Sequence, residues 1–231
     1  MKHRFFGWKL FLGRRPYKAA LDWQKRMIRY RIDGSIRDTL FFTEHPDVVT
    51  IGRDCREEDK SGLENMETHN INRGGGLTYH GPGQLVIYPI IDLSRRGKDL
   101  HIYIENLEEG IIRAFDTYGL KCRRIRSQAG VWTDSRKIAS IGVAVTRWVT
   151  YHGAAVNLTT DMKKFNIIRP CGLNPEIMTS ASEELGWKIA LEEFADRLTE
   201  AYSEIFDTSF EPVDFEELSE IVQMEESTQS L

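Results

Sequence analysis

Arg73-Gly74-Gly75-Gly76-Leu77-Thr78-Tyr79-His80-Gly81-Pro82-Gly83-Gln84 runs directly into Leu85-Val86-Ile87-Tyr88-Pro89-Ile90-Ile91. The second half reads as a buried strand. The first half holds five glycines within residues 74–83, so its backbone can turn sharply and bring N–H groups close to a ligand. No Gly-Lys-[Ser/Thr] follows, which excludes a P-loop. Gly-Pro rather than a helix follows, which excludes a dinucleotide turn. What remains is a ligand-binding loop feeding a core strand. His80 sits at its centre, as a polar tip or as a core histidine.

On the N-terminal side, Phe5 to Leu12 reads as a first strand. Tyr17 to Asp33 carries Ala20, Trp23, Met27 and Tyr30 at helical spacing and closes on Gly34. Thr39–Thr43 and Val48–Ile51 read as two strands across a Glu44-His45-Pro46-Asp47 turn, and the charged, unperiodic stretch from Arg53 to Asn65 reads as a loop. On the C-terminal side, Asp99 to Tyr118 is the clearest helix, with Asp99 as N-cap and Gly119 as stop. Short strands are expected at Cys122–Arg126, Gly130–Thr133, Lys137–Val145 and Val149–Leu158, and a further helix over Trp187–Phe206. This mixed order predicts an α+β fold, a single domain whose mixed sheet is flanked by helices. The expected boundaries are a main domain over 1–210 and an acidic segment over 211–231, part helical with a disordered end.

With 231 residues, 41% of them hydrophobic, the chain has ample apolar material for one core and no run long enough to span a membrane. Its net charge of −4 argues against a nucleic-acid binder. The charge is uneven, however. Met1 to Arg37 is strongly basic, whereas no Lys or Arg follows Glu211. The basic lobe reads either as a solvated helix face or as a field that receives an acidic protein partner. Three cysteines with no CxxC pair form neither a disulfide framework nor a zinc site, and no metal or cofactor is expected. The cytoplasm is the expected compartment. Asn157-Leu158-Thr159 matches a glycosylation sequon only formally.

Two residues stand out chemically. In Arg136-Lys137-Ile138-Ala139-Ser140-Ile141-Gly142, strand alternation gives Lys137 one face with Ala139 and Ile141, so Lys137 is either a desolvated base or a strand-start lysine reaching water. In Pro170-Cys171-Gly172, a stiff approach and a free exit can present a thiol to a cleft, though a structural cysteine is the commoner fate. Tyr151-His152-Gly153-Ala154-Ala155-Val156-Asn157 adds a histidine beside small residues, where a substrate chain can pass.

These four segments, in this order and spacing, resemble the lipoyl(octanoyl) transferases of lipoate biosynthesis, and the resemblance extends from about Tyr17 to Leu185. It implies the catalytic-domain fold of the biotin and lipoyl protein ligases and an octanoyltransferase, acting at the first committed step of protein lipoylation. Cys171 would hold the acyl group as a thioester and Lys137 would be its partner base. Arg73, Gly74, Gly75, Gly76, Leu77, Thr78, Tyr79, His80, Ser140, Ile141, Gly142, Gly153, Ala154 and Ala155 would line the acyl and substrate channel, with His152 as an accessory. The implied donor is octanoyl-acyl carrier protein; it and the lipoyl domains are small and acidic, so the basic N-terminal half, with Arg26, Arg29 and Arg31, would steer them to the cleft. The implied acceptors are lipoyl domains of 2-oxoacid dehydrogenase E2 subunits and the glycine cleavage H protein, and the enzyme is expected as a monomer. Gly76 and Tyr151 depart from the usual pattern, which puts the width of the channel in question. The rival readings are an ATP-dependent lipoate–protein ligase on the same fold, a non-catalytic binder of lipoyl domains or acyl carriers, and a thiol hydrolase pairing Cys171 with His80 or His152.

Overall fold

The computed structural model describes residues 4–60, 62–126, 128–167 and 177–228. In chain order the elements are β1 (Phe5–Arg14), α1 (Tyr17–Asp33), β2 (Asp38–Glu44), β3 (Val48–Ile51), β4 (Thr68–Asn70), β5 (Leu77–His80), β6 (Gln84–Ile90), α2 (Leu100–Asp116), β7 (Arg123–Ile125), β8 (Gln128–Trp132), β9 (Lys137–Thr146), β10 (Val149–Asn157), α3 (Ala181–Leu185), α4 (Leu191–Ile205), β11 (Thr208–Pro212) and α5 (Phe215–Thr228). Eight strands form one mixed sheet in the order β11-β1-β2-β6-β10-β9-β8-β7, and β4-β3-β5 form a second.

Period-two alternation builds the two cores. In β6, Leu85 and Ile87 face one side, packing with Leu107, Ile111 and Phe115 of α2 and with Phe194, Leu198 and Tyr202 of α4. Val86, Tyr88 and Ile90 face the other, where α1 contributes Met27 and Tyr30 and α5 contributes Leu218 and Val222. Fully burying one such side chain is worth about 1.5–3 kcal/mol. The helices end as their sequences predict. Asp99 Oδ1 accepts from the N–H groups of His101 and Ile102, and Gly34 closes α1 at φ 83°.

Three expectations need correcting. Thr39–Thr43 and Val48–Ile51 are strands but not a hairpin, since β2 pairs with β1 and β6 while β3 pairs with β4 and β5. The chain changes sheets at Glu44–Asp47 and again at Gly81–Gly83, and the two corners lock together. Gly83 N–H donates to Glu44 Oε1 (2.6 Å) and Tyr79 O–H to Asp47 Oδ1 (2.6 Å). The helix expected from Trp187 begins at Leu191, and Trp187 is 48% exposed. Arg31 is not a steering charge: its guanidinium is held by Asp38 (2.7 Å) and Asp92 (3.4 Å). Residue 211 falls inside β11, which pairs with β1, and α5 buries Leu218 and Val222 in the second core. Asn157 is 1% exposed, so the sequon is closed to modification. Among the described residues, no helix is long and apolar enough to cross a membrane.

Candidate active site

The glycine-rich loop, β9 and β10 meet where the two sheets part. Gly142, Ile141 and Ser140 of β9 pair with Gly153, Ala154 and Ala155 of β10, so two expected lining segments form one antiparallel ladder. Gly142 has no side chain because Arg73 occupies the space. A β-carbon there would lie 2.7 Å from Arg73 Cδ. The Arg73 guanidinium is itself buried, donating to Thr50 O (3.0 Å), Thr50 Oγ1 (2.9 Å) and Gly74 O (2.9 Å).

Two cavities open from this junction. One is a narrow slot of about 30 Å³ among Tyr17, Arg73, His80, Tyr88, His152 and Ala155. The other, about 390 Å³, extends to Lys137, Gln128, Ala129, Leu100 and Ile104. Arg73, Thr78, Ser140, Ile141 and Gly142 line both, so the two cavities share one wall of the expected channel.

Lys137 is 6% exposed at the foot of the larger cavity. Its Nζ donates to Ala129 O (2.7 Å) and lies 5.5 Å from the Trp132 ring centre. Strict alternation would turn Ser140 away from Lys137, yet both line the cavity. The β8–β9 register passes from Val131↔Ala139 to Trp132↔Lys137, leaving Ile138 as an extra residue. Such a bulge re-aims the start of a strand.

His80 is a core histidine and a channel residue at once. Gln84 donates through Nε2 to Asn157 Oδ1 and Tyr79 O, so its Oε1 must accept the His80 Nδ1–H (2.7 Å). Nε2 then accepts from Thr50 Oγ1 (3.4 Å). Burial, with His45 and Arg73 nearby, pulls the His80 pKa down to about 3, so the ring stays neutral. The network continues from Asn157 Nδ2 to Thr179 O, and Thr179 N–H donates to Lys137 O. His80 is thereby braced against the strand that carries Lys137. His152 has φ 56°, and its N–H donates to Gln24 Oε1 (2.8 Å). Burial, with Arg73 and Lys25 nearby, lowers its pKa to about 4.

Of the expected site residues, Arg73, Thr78, His80, Ser140, Ile141, Gly142, His152, Gly153, Ala154 and Ala155 line the slot, and Gly74, Gly75 and Lys137 line the larger cavity. Leu77 and Tyr79 point the other way along β5, into a third apolar cluster with Val49, Ile51 and Phe165. Gly76 holds the loop through its carbonyl, which accepts from Gly52 N–H. Neither Gly76 nor Tyr151 lines the channel. Cys171 lies outside the described residues, but Met178, where the described chain has resumed, bridges to Lys137. The thiols of the other two cysteines are both shifted upward. Burial raises the Cys55 thiol, and burial with Glu184 and Asp116 pushes Cys122 up to about 12. Tyr17 and Tyr88 were not anticipated as lining. Tyr17 stacks on His80 at 5.9 Å from the first turn of α1, three residues before Ala20, a spacing that could have found it.

The chain matches the family described as the lipoyl protein ligase A/B catalytic domain over residues 16–203. It is 42% identical to an octanoyltransferase of Solibacter usitatus over 207 residues, covering 87% of this chain and 93% of that one. It is 46% identical to an octanoyltransferase of Geobacter metallireducens over 182 residues, 78% and 84% of the two chains. Among solved structures it superposes on a lipoate-protein ligase A bound with ATP at a TM-score of 0.74 and 17% identity, covering 95% and 94%, a likeness of fold. The chain therefore belongs to the lipoyl protein ligase A/B catalytic-domain family, among its octanoyltransferases.

Proposed function

We propose that the chain moves an octanoyl (or lipoyl) group from acyl carrier protein to one lysine of lipoyl domains, through a thioester on Cys171 with Lys137 as proton carrier. The observation that carries this reading is the placement of Lys137. It is buried at the foot of a 390 Å³ cavity, its Nζ on the Ala129 carbonyl and its backbone tied to Met178 and Thr179. The raised thiols of Cys55 and Cys122 support the reading of Cys171 as the nucleophile.

In the first half-reaction, Cys171 Sγ attacks the donor thioester carbon. The carrier's thiolate leaves and takes from Lys137 the proton that Lys137 had received from Cys171. In the second, the acceptor ε-amine attacks the Cys171 thioester, the C–S bond breaks, and the amine's proton passes through Lys137 to the departing thiolate. One thioester replaces another and an amide follows, so ATP is not consumed. The acyl tail lies in the 390 Å³ cavity beside Lys137, between Ile141 and Gly142 of β9 and the apolar side chains of Leu100 and Ile104. Lipoyl domains of E2 subunits and of the H protein are the acceptors.

The test is intact mass after incubation with octanoyl-acyl carrier protein without ATP. The expected result is an octanoyl adduct that hydroxylamine removes, that is absent in Cys171→Ala, and that discharges onto an apo lipoyl domain. Modification of the lipoyl domain only with free octanoate and ATP would establish a ligase instead.

A further inference from the structure

We propose that Glu108, in the middle of α2 and outside every motif above, is a positioning residue that orients Lys137 through a single peptide group. The proposal rests on the reading of Lys137 as the proton carrier.

Glu108 is 6% exposed. Its Oε1 accepts from Gly130 N–H (2.8 Å). The carbonyl of that same peptide unit is Ala129 O, which accepts from Lys137 Nζ (2.7 Å). A peptide unit is planar, and in the trans form its N–H and C=O point in opposite directions. Fixing the N–H on one side therefore fixes where the carbonyl aims on the other. A carboxylate on the N–H also polarises the unit and strengthens the carbonyl as an acceptor for a cation.

The lysine stem is fitted to the same peptide. A β-carbon on Gly130 would stand 2.5 Å from Lys137 Cε and 2.4 Å from Ala139 O, and its φ of +129° suits glycine. Glu108, Gly130 and Lys137, contributed by α2, β8 and β9, thus behave as one unit. The charged groups facing Glu108 are Arg124 of β7, whose Nε lies 3.3 Å from Oε2, Lys137 across the peptide, and Glu105 on α2. Burial raises the Glu108 carboxyl above its ordinary range, while Gly130, Arg124 and Lys137 pull it back.

Glu108→Gln keeps an oxygen for Gly130 N–H but removes the charge, whereas Glu108→Ala removes both. Competitive acetylation of Lys137 with acetic anhydride across pH, read by peptide mass, reports its protonation without reference to activity. A negative charge favours the ammonium, so Glu108→Gln should shift the Lys137 titration to lower pH by roughly half a unit. The acid limb of the adduct-formation profile should move with it. Glu108→Ala should lose about 10-fold to 100-fold in the rate of adduct formation because the amine is misplaced.

An unmoved Lys137 titration in a folded Glu108→Gln variant, together with a wild-type acid limb, overturns the proposal. If Glu108→Ala fails to fold, the Gln variant decides alone. A shifted titration in an enzyme that forms no adduct would support the Glu108 linkage and refute the role assigned to Lys137.

Discussion

Gly142→Ala should leave the protein folded and cripple transfer. Gly142 is not among the positive-φ glycines, so alanine suits its strand backbone. By restricting the unfolded chain, the methyl contributes about 0.4–1 kcal/mol of stability. Against this, the new carbon meets Arg73 Cδ at 2.7 Å and Gly74 O at 3.2 Å. Arg73 cannot swing aside freely, because its guanidinium is held by Thr50 and Gly74. Overpacking of this kind costs about 1–3 kcal/mol. The net destabilisation is then about 0–2.5 kcal/mol, within what a domain of ordinary stability tolerates.

The functional cost should be larger. Gly142 and Arg73 line both cavities, and a displacement of about 1 Å at reacting groups can cost 100-fold. We expect kcat/KM for octanoyl transfer to an apo lipoyl domain, followed by mass, to fall about 10-fold to 100-fold, with a urea midpoint close to wild type. Wild-type kcat/KM in Gly142→Ala would refute the claim that Arg73 must keep its place where the two cavities meet.

Two predictions concern titration. His80 and His152 have folded-state pKa values of about 3 and about 4, below the unfolded value of about 6.5. Between pH 7 and pH 5 the unfolded chain therefore takes up protons that the native state refuses, and stability falls by about 2 kcal/mol for each histidine. Urea unfolding at the two pH values measures this, and His80→Gln should remove its share; a pH-independent stability would contradict the burial of both rings. Cys122, with its thiol near 12, should resist iodoacetamide at pH 8 in the native protein, and Cys122→Ser should transfer octanoyl at the wild-type rate. Peptide mass mapping that found Cys122 alkylated as fast as in the unfolded chain would contradict its placement.

Helices and strands with strong periods were plain from the sequence: α1 with its Gly34 stop, α2 with its Asp99 cap, and β6 with every residue buried. β11 was not, because Thr208–Pro212 is a short edge strand holding a proline and a glutamate, and its pairing with β1 joins distant parts of the chain. Nor was the parting of β2 and β3, since a four-residue turn looks the same whether the strands pair or enter different sheets. Glu108 left one faint trace. It lies four residues after Ile104, beside the apolar stripe rather than opposite it, where a carboxylate is unexpected unless something inside receives it.

The sequence by itself determined the α+β class, the kinship with lipoyl and octanoyl transferases, and which segments belong to the channel, because these are properties of local period and of motifs in order. Only the tertiary structure decided which residues of those segments face the channel. Alternation along β5 turns Thr78 and His80 inward and Leu77 and Tyr79 away, and the bulge at Ile138 brings Ser140 to the same side as Lys137. Such choices depend on which strand lies alongside and on what stands behind it. The Glu108 contact across the Ala129–Gly130 peptide exists only once α2 has packed on the sheet.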